Sequence, residues 1–188
     1  MIKENICVSA FENLYYLYLS EETDAHDLMT KYIKLGFKMG AIVEGYRTEK
    51  DIDTVMKICR KVRLEKHRFL GFIRFIKTKK ELYYAKFEPD HNILPLITPH
   101  FANRFKDEYF MIHDLKRNIA AVYNKSKWMI TDMPNEVEFL LIEEEADYER
   151  LWKIFYESVF IKSRKNLKQQ KGYMPTRYWK HLTEKKTL

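Results

Sequence analysis

The chain has 188 residues, 46% hydrophobic and 15% aromatic, with only five Gly and five Pro; this excludes a disordered or low-complexity protein and supplies apolar surface for a full core, expected as a single domain over residues 1–188. The net charge of +7 is uneven, because residues 161–188 hold nine of the 34 Lys/Arg and one of the 27 Asp/Glu, leaving 25 basic against 26 acidic side chains elsewhere. Two lone cysteines, Cys7 and Cys59, exclude zinc ribbons, iron–sulfur clusters and redox pairs, and no run approaches the roughly 18 apolar residues of a membrane span.

The start MIKENICVSAFENLYY lacks the apolar run of a signal peptide, so a cytoplasmic protein with no membrane partner is expected. Residues 1–67 read as helical. Ser9 to Glu12 spells a capping box, after which Phe11, Leu14, Tyr15 and Tyr18 fall on one face. Leu28, Tyr32, Leu35 and Met39 repeat that spacing. A third helix is predicted from Thr48 through Ile52, Val55, Met56, Cys59 and Val62, which makes Cys59 a core thiol. Lys57, Arg60, Lys61, Arg63, Lys66 and Arg68 crowd its later turns, either to complement the negative helix C-terminus or to face a phosphate backbone.

Residues 68–134 read as strands. Phe69 to Lys77 and Glu81 to Phe87 flank Thr78-Lys79-Lys80, and Ile119 to Tyr123 and Lys127 to Asp132 flank Asn124-Lys125-Ser126, giving two antiparallel hairpins. Between them Thr98 and Pro99 supply a cap and first turn for a short helix through Phe101 and Phe105, and Tyr109 to His113 suits a central strand. After Pro134 an acidic block (Glu136, Glu138, Glu143 to Glu145, Asp147, Glu149) leads into a helix with Leu151, Trp152, Phe155, Tyr156 and Val159 on its apolar face. That helix delivers the basic tail. The expected fold class is α+β: N-terminal helices, a central, mainly antiparallel sheet of about four to five strands, and C-terminal helices with a basic tail over residues 135–188.

Titratable residues cluster between Pro89 and Arg117. Glu88-Pro89-Asp90-His91-Asn92 closes a predicted strand and reads either as a site or as a tight turn, since Pro, Asp and Asn favour turns. His100, and His113-Asp114 at the end of a buried strand, add imidazoles able to carry protons or donate to a phosphate. Asp90, His91, His100, His113 and Asp114 have no recognised metal-ligand spacing, so no metal or other cofactor is expected. Arg117 either pairs with Asp114 or points at a phosphate, and Arg74 and Arg104 are further phosphate candidates. In the tail, Lys162, Arg164, Lys165, Asn166, Lys168, Lys171 and Arg177 form a cationic strip that also carries Tyr173, Tyr178 and Trp179, the composition of a surface that neutralises phosphates and stacks on unpaired bases. The plainer reading is a terminal helix that buries its rings on the core and leaves its charges in water.

Several strings are familiar: RFLGFIRF from Arg68, EPDHNILPL from Glu88, PHFANRF from Pro99, IHDLKR from Ile112, RKNLKQ from Arg164 and MPTRYWKHLTE from Met174. Together they resemble the uncharacterised bacterial family labelled "probable DNA metabolism protein", in the same order from Arg68 to Glu184. That resemblance implies a setting in DNA repair or modification, beside a radical S-adenosylmethionine protein or fused to a uracil-DNA-glycosylase-like domain. It transfers no catalytic residues. Three functions follow as expectations: a DNA-binding accessory protein for such an enzyme, an enzyme that itself uses the His/Asp cluster on DNA, or a protein–protein scaffold. No Gly-rich phosphate loop and no GxSxG elbow is present, which argues against ATP hydrolysis and α/β-hydrolase chemistry.

Overall fold

A computed structural model describes residues 8–78, 81–133, 166–182 and 185. The acidic block Glu136 to Glu149, the helix expected over Leu151 to Val159, and Lys162, Arg164 and Lys165 lie outside the described residues. The chain has the expected α+β architecture, with N-terminal helices and a central five-stranded sheet. It groups into two compact units, Met1–His67 with Asp90–Ile93, and Arg68–Pro89 with Leu94–Leu188.

In the helical unit, α1 (Val8–Leu19) and α2 (Ala25–Met39) precede a 3-10 turn at Gly40–Gly45 and the long α3 (Lys50–Phe72). Gly40 takes φ 64° at the end of α2, a left-handed conformation that costs glycine little. Ala10, Leu14, Leu17, Leu28, Tyr32, Ile52, Val55 and Cys59 share one core, so Cys59 is the core thiol expected. The face of α1 differs from the sequence reading. Phe11, Tyr15 and Tyr18 are exposed at 44, 40 and 58%, and Ser9 lies inside the helix rather than at its cap. The reason is Asn13, a polar residue that marks the buried side. Its amide donates to Tyr32 Oη (3.2 Å), its Oδ1 accepts from Arg63, and its backbone carbonyl accepts from Cys59 Sγ (3.3 Å). With those bonds made, a buried amide is tolerated.

Glu65, buried near the end of this unit, accepts the backbone N–H of Asp90 (2.6 Å) and of His91 (2.9 Å). His91 Nδ1 lies 3.0 Å from the Ser20 carbonyl, and Asn92 N–H donates to the Leu19 carbonyl (2.9 Å). Asp90–Ile93 is thereby stitched to helices that precede it by dozens of residues.

In the sheet unit, α3 continues to Phe72 where a strand was expected from Phe69. Phe69, Phe72 and Ile73 sit at i, i+3 and i+4, so the apolar run satisfies the helical period as well as the strand period. Arg74 then donates through Nη1 to the carbonyls of Gly71 (2.7 Å) and Ile73 (3.3 Å), satisfying groups that the helix end leaves unpaired. The first strand shrinks to β1 (Ile76–Lys77). β2 (Leu82–Phe87), β3 (Tyr109–Asp114), β4 (Ile119–Asn124) and β5 (Trp128–Asp132) follow in the sheet order β1-β2-β3-β4-β5. β2 and β3 are parallel and the other three pairings antiparallel.

A parallel pair needs a crossover, which α4 (Leu94–Arg104) supplies. It begins four residues before Thr98, so Thr98-Pro99 lies inside the helix rather than capping it. Pro95 occupies its first turn, where a missing N–H costs nothing, and Thr98 Oγ1 donates back to the Leu94 carbonyl (2.7 Å). Phe75 packs on Phe101, Phe105 and Phe110 with ring centroids 4.8–5.8 Å apart, and Phe110 stacks on Tyr123 at 5.0 Å. Among the described residues, no helix is long and apolar enough to cross a membrane.

Candidate functional site

Parallel strands release their C-terminal ends on one edge of a sheet, the edge where open sheets hold ligands. Here Phe87 of β2 lies beside Asp114 of β3, so Glu88-Pro89 and the turn from Leu115 to Asn118 leave the sheet together. Asp114 is fully buried. Its Oδ1 accepts the backbone N–H of Lys116 (3.0 Å) and of Arg117 (3.3 Å), and its Oδ2 accepts from Arg117 Nη1 at 2.8 Å. The same Nη1 reaches the Pro89 carbonyl at 3.4 Å. Burial pushes the Asp114 carboxyl up, while Arg117 and the two N–H groups pull it back. Of the two sequence readings for Arg117, pairing with Asp114 is the one realised, and its side chain is only 10% exposed.

The imidazoles have different settings. His113 is buried with Nδ1 2.9 Å from Tyr84 Oη on the neighbouring strand. His100 is exposed on α4, its ring edge-on to Phe101 at 5.2 Å. Asp90 and His91 belong to the helical unit, held through Glu65, so the string Glu88 to Asn92 divides after Pro89. Among the described residues, no group of three or more His, Cys, Asp or Glu is placed to hold a metal ion.

The tail residues sort into exposed and committed ones. Asn166 caps α5 (Leu167–Tyr173), its Oδ1 accepting the Gln169 N–H at 3.0 Å. Lys168 and Lys171 are exposed on that helix, and Tyr173 at its end is 73% exposed. Arg68 Nη2 fastens the helix by donating to the Gly172 carbonyl (3.1 Å). The 3-10 segment Thr176–His181 follows. Tyr178, expected to stack on bases, is 2% exposed and packs edge-on against Phe69 with centroids 4.7 Å apart. Its ring completes the sheet unit's core. Trp179 is half-buried, its Nε1–H donating to the Met174 carbonyl (2.9 Å), with the Lys185 ammonium 4.7 Å over the ring. Arg177 is exposed, its guanidinium 4.5 Å from the Tyr178 ring centroid. Arg104 is exposed at the end of α4, and Arg74 is committed to its helix-end carbonyls.

Two acids whose partners sequence reasoning missed organise these elements, Glu65 and Glu88. Glu65 looks like an ordinary surface acid in the sequence, and Glu88 is legible there only as part of the Glu88 to Asn92 string, because the partners of both are remote in the chain. Of the three tail rings expected to offer a stacking face, Tyr173 is 73% exposed and Tyr178 2%.

Glu88 ties the tail to the end of β2. Lys180 Nζ donates to one carboxylate oxygen and His181 Nε2 lies 3.4 Å from the other. The hydrogen bond from Lys180 holds the Glu88 carboxyl below its ordinary 4.5. Burial holds the His181 imidazole below its ordinary 6.5 against the opposing pull of Glu88. Both folded values are depressed, so each group contributes docking stability above its ordinary value and loses it as pH falls through the folded one. Docking of Thr176–His181 is therefore expected to be firm at pH 7.5, to weaken below about pH 6.5 as imidazole protonation favours the undocked segment, and to weaken again below about pH 4.5. Hydrogen exchange of the Trp179 indole N–H reads this directly. A rate independent of pH between 7.5 and 5.5, after correction for intrinsic exchange, would contradict the His181 contribution, and His181→Gln should flatten that limb.

A family model described as a domain of unknown function, DUF4130, matches residues 23–184. The match contains the span of the familiar strings and extends back into the helical first third. No curated protein and no solved structure matches the chain.

Proposed function

The chain belongs to the DUF4130 family of unknown function, and we propose that it is a DNA-binding accessory protein in repair or modification. The observation that carries this reading is α5, a helix fastened by Arg68 that presents Lys168, Lys171 and a 73% exposed Tyr173 to solvent. Exposed lysines supply phosphate neutralisation and an open ring supplies a stacking face for an unpaired base. Lys162, Arg164 and Lys165 extend the cationic strip in sequence, and Arg177 continues it beyond the helix. The stacking role passes from Tyr178, which the core occupies, to Tyr173, with half-buried Trp179 as support.

The preference for DNA over RNA, the cytoplasmic setting, and the partners, a uracil-DNA-glycosylase-like or radical S-adenosylmethionine enzyme, rest on the family resemblance. The enzymatic alternative has less support, since His113 is buried against Tyr84 while His100 is exposed on α4. The scaffold alternative differs in one measurable respect. Phosphate contact predicts that affinity for DNA falls steeply with salt, and that each charge reversal among Lys168, Lys171 and Arg177 lowers the slope of log K against log[salt] by about one. Fluorescence anisotropy with single-stranded and duplex oligonucleotides over a salt series checks this. A scaffold shows no salt-dependent DNA binding for these substitutions to change.

A further inference from the structure

We propose that β5 is a self-association edge, on which a second copy of this chain adds its own β5 antiparallel and joins the two sheets into one. This goes beyond the proposed function and involves none of the residues assigned to DNA. β5 pairs with β4 on one side and, among the described residues, with no strand on the other. Every residue of β5 is exposed, with Trp128 at 38%, Met129 at 60% and Ile130 at 38%. Edge strands of monomeric proteins are ordinarily blunted by charge, proline or a bulge. The centre of β5 carries none of these and presents apolar side chains on both faces.

What covers such a strand must offer a free backbone edge and apolar groups on both faces, and β5 itself answers that description. Its sequence is also self-complementary. A two-fold axis perpendicular to the sheet requires one residue to face its own copy, so the register is centred on a residue rather than between two. Centring on Met129 sets it against itself and sets Trp128 opposite Ile130 twice, apolar against apolar, with Lys127 opposite Thr131 on the other face. Centring on Ile130 sets Trp128 against Asp132 and Met129 against Thr131, apolar against polar. The Met129 register is the one assigned, and it places no like charges opposite one another.

Sedimentation equilibrium of the full chain at micromolar to hundred-micromolar concentration is the test. The wild type is expected to approach twice the monomer mass, and Met129→Lys and Ile130→Lys are each expected to return it to monomer mass with an unchanged far-UV circular dichroism spectrum. Both positions are exposed, so the monomer fold tolerates the charge. A second measurement fixes the register. In a Cys7→Ser background, Met129→Cys should form a disulfide-linked dimer on mild oxidation, because facing residues of antiparallel strands have Cα atoms about 4.5–5.5 Å apart, within disulfide range. Lys127→Cys should not. A wild type that stays monomeric throughout, a dimer that survives Met129→Lys, or cross-linking at 127 in preference to 129 overturns the proposal. DNA binding is unaffected by any of these outcomes.

Discussion

Arg117→Ala is expected to cost about 3–5 kcal/mol of folding stability, because it removes the guanidinium from a carboxylate that cannot reach water. Asp114 is fully buried between β3 and the turn that follows, and Arg117 Nη1 bonds both its Oδ2 and, more loosely, the Pro89 carbonyl. Without Arg117 the carboxylate keeps two backbone N–H bonds and loses the guanidinium that pairs with it. Arg117→Lys should cost less, since an ammonium restores charge without the planar fork. Asp114→Asn in the Arg117→Ala background should recover part of the loss, because the buried charge is then gone. Urea denaturation followed by far-UV circular dichroism separates these cases. A loss below about 1 kcal/mol for Arg117→Ala, the range of an exposed ion pair, would mean that the pair does not hold the turn.

A second large effect separates the two tyrosines of the tail. Tyr178→Ala is expected to destabilise the sheet unit by about 3–5 kcal/mol, the cost of emptying an aromatic site in a packed core. Its ring is 2% exposed, edge-on to Phe69, which in turn packs on Phe87 at 5.1 Å. Tyr173→Ala, by contrast, should leave stability within about 0.5 kcal/mol of wild type, as surface substitutions do, and should weaken binding to single-stranded DNA. The reverse pattern, an innocuous Tyr178→Ala and a destabilising Tyr173→Ala, would invert the assignment of core and surface in the tail.

Much of the fold was legible in the sequence because hydrophobic period and turn residues agree there. β2, β3, β4 and β5 lie where alternation, the buried run at Tyr109 and the Asn124-Lys125-Ser126 link placed them, and Cys59 is in the core. The misreadings share a physical cause. Where an apolar run satisfies two periods, as from Phe69 to Ile73, local pattern cannot choose, and the contacts of Phe69 with Phe87 and Tyr178 decide for helix. On α1 the aromatic stripe outweighed Asn13, although three hydrogen-bonding partners from remote segments put Asn13 inside. The parallel pairing of β2 with β3 was not read from the sequence, since strand direction depends on contacts between remote segments and the helix between them was placed only from Thr98.

The candidate site was legible as residue types and illegible as an arrangement. Asp114 with Arg117 was readable from their spacing of three. The division of Glu88 to Asn92 was not, because it depends on Glu65, 25 residues before Asp90. The tail's charge was plain in composition, whereas which of its rings stays open depends on Phe69 and on Arg68, more than a hundred residues upstream.

The measurement that tests the central claim most directly is anisotropy of labelled single-stranded DNA titrated with the full chain from low to physiological salt, wild type beside Lys168→Glu/Lys171→Glu and Tyr173→Ala. The account predicts binding that weakens steeply with salt, a slope reduced by about two in the double charge reversal, and a weaker affinity with an unchanged slope for Tyr173→Ala. Absence of binding at low salt, or binding that the double reversal leaves untouched, would contradict it.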